Sequence, residues 1–369
     1  MLSKIIFNIA NFYREIKENR KSIRQEHYDN CNVSSIIVNS IPLTSDEKSL
    51  IKDKWGDIIH CIPRGYQYYR GIKALCGFSP DYLPSSYFYP YIEGILNPYK
   101  FKRQLCHKSM LQMVYGLGIK HPSTLIRTYG GVFLDGNYKP LTECEAIKLI
   151  RSCNYPLLYK PSIDSEEGHG IRLIEPNDFD DLCNEIKSGK IFMKNADFVL
   201  QHLVEQSCET SVFNPSSLNC MRVTTLNLNG NISVGSRALK CGPKGSVVDN
   251  IGSGKRGVIV GINPDGILCE KGFYGNGEIA YGHNDVLFKG MKIDDFYKVV
   301  DSAIALHKLA PACKIIGWDI ALDANNDPVL IEGNVVYPGI SFEQMCSGPI
   351  FGDRTDEFIS FIKKRLIEK

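Results

Sequence analysis

The chain has 369 residues, is 43% hydrophobic and 23% charged, and carries a formal net charge of +2, which suits a protein able to bury a large core in two or three domains. That balance argues against a general nucleic-acid binder, which needs a basic excess, and no run approaches the roughly 18 apolar residues that span a bilayer. The 13 cysteines are scattered, without a Cys-x-x-Cys pair or a secretory signal, and read as buried reduced thiols in a cytoplasmic setting rather than a disulfide or zinc framework.

In chain order, Ile5, Ile6, Ile9, Phe12, Tyr13 and Ile16 fall on a helical period within residues 1–30, with Lys and Arg on the other face. A basic amphipathic helix of this kind either makes peripheral contact with a membrane surface or packs on the body of the protein. Thr44-Ser45-Asp46-Glu47 has capping-box spacing and predicts a helix through Trp55. Residues 60–100 are aromatic and Pro-rich, as a packed irregular cap is. The pattern over 101–115 is helical and contains Lys108. A second capping box, Thr142 with Glu145, opens a helix to about Ser152. Residues 157–161 read as a short buried strand with Lys160 at its end, 162–170 as a polar loop with two glycines, and 171–174 as a returning strand. Such a flap can close over phosphates with backbone N–H groups.

A helix over 178–187 stops at Gly189, and 198–204 form the next strand. Residues 221–228 and 232–239 pair around Asn229-Gly230, a strong hairpin dipeptide, and carry Arg222 and Arg237. Residues 249–261 are Gly-rich, 293–309 make an amphipathic helix stopped at Pro311, and a C-terminal helix from Thr355 aligns Phe358, Ile359, Ile362 and Leu366.

The most informative stretch is 317–334, two apolar runs around Asn325-Asn326, because Asn tolerates the positive φ of tight hairpin turns. With that turn Asp319 sits opposite Glu332. Alternation puts Trp318, Ile320, Leu322, Val329 and Ile331 on one face and Asp319, Glu332 and Asn334 on the other. Opposed carboxylates with Cβ atoms about 4.5–5.5 Å apart repel unless a cation joins them, and Mg²⁺ takes one or two carboxylates plus substrate phosphates. The plain alternative is a solvated acidic edge, and a one-residue slip would part the acids.

Several pieces occur in order: Leu105-Cys106-His107-Lys108 with Gly118-Ile119-Lys120-His121-Pro122, Tyr159-Lys160-Pro161, Asn219-Cys220-Met221-Arg222-Val223-Thr224, Val248-Asp249-Asn250, Gly317-Trp318-Asp319, and Ile331-Glu332-Gly333-Asn334. Together they resemble the ATP-grasp superfamily, and most closely its sugar-transfer-associated family, over roughly residues 42–350. The resemblance implies an α+β chain, an ATP-grasp fold with two α+β lobes clasping ATP, preceded by a mostly helical N-terminal region. The expected division is 1–100 for that helical and aromatic, Pro-rich region, 101–350 for the ATP-grasp domain with a small flap lobe over about 155–205, and 351–369 for the C-terminal helix.

The same resemblance implies that Lys108 and Lys160 contact the nucleotide phosphates, for which compact ammonium charges are suited. Backbone groups of Gln201, His202 and Leu203 would read adenine, and Glu209, preferred to Glu205 and Gln206, would hold the ribose. Asp319, Glu332 and Asn334 would hold Mg²⁺, and Arg222 and Arg237 would stabilise the transferred group or a substrate carboxylate. Gly317 departs from the arginine that amino-acid-ligating members such as D-alanine:D-alanine ligase carry two positions before the first metal aspartate, which moves that role to Arg222. The stretch 254–257 also departs from the expected Gly-Gly pairing. His107, His202 and His283 form no ligand pair, and Cys220 reads as an inert thiol.

The activity implied is an ATP- and Mg²⁺-dependent carboxylate–amine ligation through an acyl phosphate. Its substrates would be a small-molecule carboxylate and an amine, amino-acid or sugar-linked, in polysaccharide biosynthesis. The alternatives are a kinase of a glycan hydroxyl and a non-catalytic nucleotide- or glycan-binding protein.

Overall fold

A computed structural model of the chain describes residues 40–56, 58, 65–116, 118–163, 168–192, 197–247, 249, 251 and 257–367. The amphipathic helix expected within 1–30, part of the 162–170 flap, and Lys255 and Arg256 lie outside the described residues. Among the described residues no helix is long and apolar enough to cross a membrane. Both capping boxes form: Thr44 Oγ1 accepts from the Glu47 amide at the head of helix Ser45–Trp55, and Thr142 Oγ1 accepts from that of Glu145 at the head of helix Glu143–Ser152.

The smaller sheet contains β1 (Thr124–Tyr129), β2 (Val132–Asp135), β3 (Pro140–Leu141), β4 (Leu157–Pro161), β5 (Arg172–Ile174) and β6 (Phe198–His202) in the order β3-β2-β1-β6-β4-β5. Every pairing in it is antiparallel. Side chains alternate along its strands. Leu157, Tyr159, Phe198 and Leu200 pack with helices Glu143–Ser152 and Phe179–Lys187 in one apolar cluster. Leu158, Lys160, Val199 and Gln201 take the other face. The sheet begins at Thr124, well before the 155 expected for the small lobe, because β1 pairs with the distant β6. Local periodicity carries no signal of such a contact.

The larger sheet contains β7 (Cys220–Leu228), β8 (Asn231–Cys241), β9 (Val258–Ile262), β10 (Leu268–Tyr274), β11 (Ile279–Ala280) and, after a two-stranded ribbon of β12 (Gly282–His283) and β13 (Val286–Leu287), β14 (Ile315–Leu322) and β15 (Pro328–Asn334). Its order is β11-β10-β9-β8-β7-β14-β15. The β7–β8 hairpin turns on Asn229 and Gly230 at φ 54° and 82°, the two positive values that a tight hairpin turn requires. One face buries Met221, Val223, Leu239, Trp318 and Ile320 against helix Phe296–Leu309. On the other, Leu226, Ala238, Ile259 and Phe273 share a cluster with Trp55, Tyr69 and Phe88 from the N-terminal region and Phe358 and Ile362 from helix Thr355–Ile367. Of the region expected as a separate 1–100 unit, the described residues from Leu43 to Leu96 therefore build a common core with this sheet. Leu366, expected in the C-terminal stripe, is exposed, as are Cys144 and Cys208 among the cysteines expected to be buried.

The helix expected over 101–115 is broken into Tyr99–Leu105 and Leu111–Tyr115, with a 3₁₀ turn Lys108–Met110 between them. Tertiary bonds take its middle out of the helix. The Lys108 amide donates to Ser162 O at 2.9 Å, and the buried Arg127 donates from Nη1 to Ser109 O at 3.1 Å. Ser109 Oγ also meets Ser162 Oγ. The turn that bears Lys108 is thereby tied to the small sheet.

Candidate active site between the two sheets

Two β-bulges set the site. In the β14–β15 hairpin Leu322 pairs with Pro328 and Ile320 with Leu330, after which the register shifts and Asp319 pairs with Glu332. The turn is a residue longer than Asn325-Asn326 alone implies, with Asp323 Oδ1 accepting from the amides of Asn325 and Asp327. Ile331 is the extra residue that restores the opposition of the acids. In consequence Leu330, not Val329 or Ile331, joins Trp318, Ile320 and Leu322 in the apolar cluster.

The second bulge corrects the arginine expectation. Near the Asn229-Gly230 turn Thr225 pairs with Val234, but beyond the shift Thr224 pairs with Ser236, Arg222 with Ala238 and Val223 with Arg237. Gly235 is the extra residue; a Cβ there would stand 2.4 Å from Ile350 O, so only glycine fits. Arg237 thus leaves the sheet on the face of Val223, opposite to Arg222, and does not join the site. Lys240, which sequence reasoning missed, comes onto the Arg222 face instead.

Asp319 is the hub of that face. Arg222 donates to it from Nε at 2.7 Å and from Nη2 at 2.9 Å, Lys240 Nζ lies 3.1 Å away, and Asn334 Nδ2 donates at 3.2 Å. Burial alone would raise the carboxyl pKa; Arg222 and Lys240 outweigh it and hold the group well below the usual carboxylate range. Arg222 is further bound to Pro338 O at 3.1 Å and Glu343 Oε1 at 3.3 Å. With two carboxylates already on it, its first task is to neutralise buried acids. Gly317 is explained by the Pro338 carbonyl that Arg222 binds: a Cβ there would lie 2.3 Å from Pro338 O. Lys240 also reaches Asp249 at 3.3 Å.

Lys108 and Lys160, the lysines expected at the phosphates, both come near this face. Lys108 Nζ lies 2.6 Å from Glu332 Oε1, joining the turn tied to the small sheet to the last strand of the large one. Lys160 projects from β4 and is 8% exposed. Burial, and then the neighbouring Lys108, push its pKa down. A buried ammonium is costly without an anion, so the position is suited to one. Cys220 nearby is buried with its thiol pKa pushed up, which leaves it a poor nucleophile.

Of the residues expected at adenine, Gln201 shares the face of Lys160, and His202 is paired with Leu157 and donates its amide to Ser123 O at 2.8 Å. Leu203 follows the end of the strand and lines a cavity of about 790 Å³ with Ser123, Glu205 and Asn325. None of Lys108, Lys160, Asp319 and Glu332 lines that cavity. Glu209 faces elsewhere: its Oε2 accepts from the Asp294 amide at 3.1 Å, ahead of helix Phe296–Leu309. Gln206 is occupied by Asn214, Ser217 and Asn219. We therefore expect Glu209→Ala to leave nucleotide affinity within about twofold and to cost about 1 kcal/mol of stability, read by nucleotide titration and urea melts.

Among the described residues no three His, Cys, Asp or Glu side chains come close enough to form a metal cluster. The opposed Asp319 and Glu332 with the Asn334 amide nevertheless form an oxygen-rich set. That fits Mg²⁺, which completes its shell with water and substrate phosphate rather than an all-protein cage.

Two antiparallel sheets, with Lys160 on one, Lys108 on a turn tied to it and the paired acids on the other, make up an ATP-grasp fold. The chain belongs to the sugar-transfer associated ATP-grasp family, whose family model matches residues 96–358; the match begins later than the 42 expected. No curated protein matches the chain. Similar solved structures include the VanG D-Ala:D-Ser ligase from Enterococcus faecalis, 14% identical with a TM-score of 0.45 over 70% of this chain and 62% of that one. Biotin carboxylase from Campylobacter jejuni is 13% identical with a TM-score of 0.44 over 70% and 46%. The ATP-grasp ligase PsnB is 16% identical with a TM-score of 0.39 over 72% and 64%. The chain thus spans less than two-thirds of the length of each.

Proposed function

We propose that the protein is an ATP- and Mg²⁺-dependent carboxylate–amine ligase acting on a sugar or amino-acid substrate in polysaccharide biosynthesis. The observation that carries the phosphoryl-transfer half is the 2.6 Å contact of Lys108 with Glu332, which brings a phosphate lysine from one lobe to a metal acid of the other. The amide-forming half and the sugar setting rest on the family.

In this reading Lys108 and Lys160 hold the phosphates, and the acceptor carboxylate oxygen attacks the γ-phosphorus as the bond to ADP breaks. The amine nitrogen then attacks the acyl carbon, loses a proton, and phosphate leaves. Asp319, Glu332 and Asn334 would hold Mg²⁺, which supplies charge neutralisation to the phosphates. Arg222 keeps Asp319 ionised and aimed. Lys160 is buried, where its charge acts on phosphate with little screening.

The test is γ-labelled ATP with panels of uronic acids, amino sugars and amino acids. A ligase releases labelled free phosphate only when both an acceptor acid and an amine are present. Label that stays on a hydroxyl acceptor would make the protein a kinase instead, and bound ATP with no turnover across the panels would make it a binding protein.

A further inference from the structure

The loop that leaves β15 has a backbone that needs support. Tyr337 lies at φ 52°, in the left-handed region, which a bulky side chain adopts only where its surroundings hold it there. Gly339 follows at φ 78°, and a Cβ on it would stand 2.8 Å from Arg222 Nη1 and closer still to Glu343 Oε1. The stretch therefore passes directly against the arginine that grips Asp319, and its Pro338 carbonyl accepts from Arg222 Nη1 at 3.1 Å. The support comes from the helical turn Glu93–Leu96 and the residue after it. Glu93 Oε1 accepts from the Tyr337 amide at 2.9 Å, and Asn97 Nδ2 donates to Val335 O at 2.9 Å. Tyr89 adds an edge-on ring contact to Tyr337, with centroids 5.2 Å apart. Glu93 is itself buried and fixed, since its Oε2 lies 3.0 Å from Nζ of the buried Lys102. A charged acceptor bonds an amide more strongly than a neutral one, which suits a clamp on a strained residue.

We propose that Glu93 is a positioning residue for the candidate active site. It holds Tyr337 in the left-handed conformation that keeps the Pro338 carbonyl on Arg222, and through Arg222 it sets where the Asp319 carboxylate points. The inference rests on the reading of Asp319 as a metal acid given above. Glu93 touches none of the residues assigned to phosphate or metal, and it precedes residues 96–358 that the family model covers. Its influence on the site runs through the backbone of the exit loop, where the left-handed residue and the carbonyl that Arg222 binds are neighbours in the chain.

The experiment follows binding of the Mn²⁺ complex of a non-hydrolysable ATP analogue by electron paramagnetic resonance, in variants shown by thermal melts to be folded. Glu93→Gln with Lys102→Met keeps an oxygen for the Tyr337 amide and is expected to bind within about threefold of the wild type. Glu93→Met with Lys102→Met also leaves no stray ammonium group but removes that oxygen, and is expected to bind about tenfold more weakly. Adding Tyr337→Gly to the methionine pair should recover most of the loss, because glycine takes a positive φ unaided, while the lost Tyr89 contact lowers the melting temperature further. A residue that only stabilised the fold would make binding and stability fall together. Equal binding by the two pairs, or a loss that Tyr337→Gly leaves uncorrected, overturns the proposal. Should the methionine pair not fold, Tyr337→Gly and Tyr337→Val take its place in the otherwise unchanged protein. Valine disfavours the left-handed conformation and should bind about tenfold more weakly than glycine; equal binding by these two overturns the proposal as well. The metal reading is tested separately with Asp319→Asn. If that variant binds the Mn²⁺ complex as well as the wild type, the metal reading itself fails; if it binds more weakly while the two Glu93 pairs bind alike, only the positioning role fails.

Discussion

Asp319→Asn and Glu332→Gln are each expected to lower ATP turnover about a thousandfold, and they should differ in stability. Glu332 is partly exposed and paired with a single lysine, whereas Asp319 is buried among Arg222, Lys240 and Asn334. The Asp319 carboxyl is depressed against the raising effect of burial. A group with a depressed folded-state value contributes stability above its ordinary value, and that contribution is lost as pH falls through it. Wild-type protein should therefore weaken as pH drops below the ordinary aspartate value of 3.8. The Asp319→Asn variant should start weaker at neutral pH and lose less over the same interval. Urea melts at the two pH values, beside steady-state ADP release, separate the effects. Normal turnover in both variants would move the chemistry away from this hairpin.

Arg222→Ala is expected to cost about 3–5 kcal/mol of stability, because it leaves buried acids without their cation. Part of that loss should return in the Arg222→Ala, Asp319→Asn double variant, where the stranded charge is gone. The coupling can be read from a four-protein cycle of urea melts. If Arg222 served chiefly to stabilise a transferred group, the single variant would lose turnover at nearly wild-type stability and the double variant would recover nothing. The bidentate grip on Asp319 and the added bonds to Pro338 and Glu343 favour the first outcome.

Much of this site is legible in the chain because its parts are local. Asp319 and Glu332 belong to one hairpin, and the Asn325-Asn326 signal opposes them correctly because the longer turn and the extra residue Ile331 offset each other. The two capping boxes and the Asn229-Gly230 turn are equally short-range. What local pattern does not carry is register past a bulge. A hairpin run straight from Asn229-Gly230 would set Arg237 opposite Arg222 and turn Lys240 away; the single extra residue at Gly235 reverses both. The only local hint is a glycine inside a strand, which often marks a bulge. Glu343 was unreadable for another reason, since it reaches Arg222 from helix Ser341–Ser347, beyond the hairpin. Glu209 shows the converse. The family resemblance implied a ribose contact there, but its carboxylate accepts from the Asp294 amide.

The family match begins at residue 96, yet among the described residues the core beneath the large sheet already includes Leu43. Asn97 is fully buried at that boundary, its Nδ2 donating to the carbonyls of Ile315 and Val335 and its Oδ1 accepting from the amides of Lys314 and Ile315. One side chain thus rivets the entry to β14 and the exit of β15, the two ends of the hairpin that bears the acids. The N-terminal segment is in this sense a back plate rather than an appendage. A chain cut to the family limits would keep every residue of the proposed chemistry and Asn97 itself, and lose the buried side chains from Leu43 to Ile95 that pack with the large sheet.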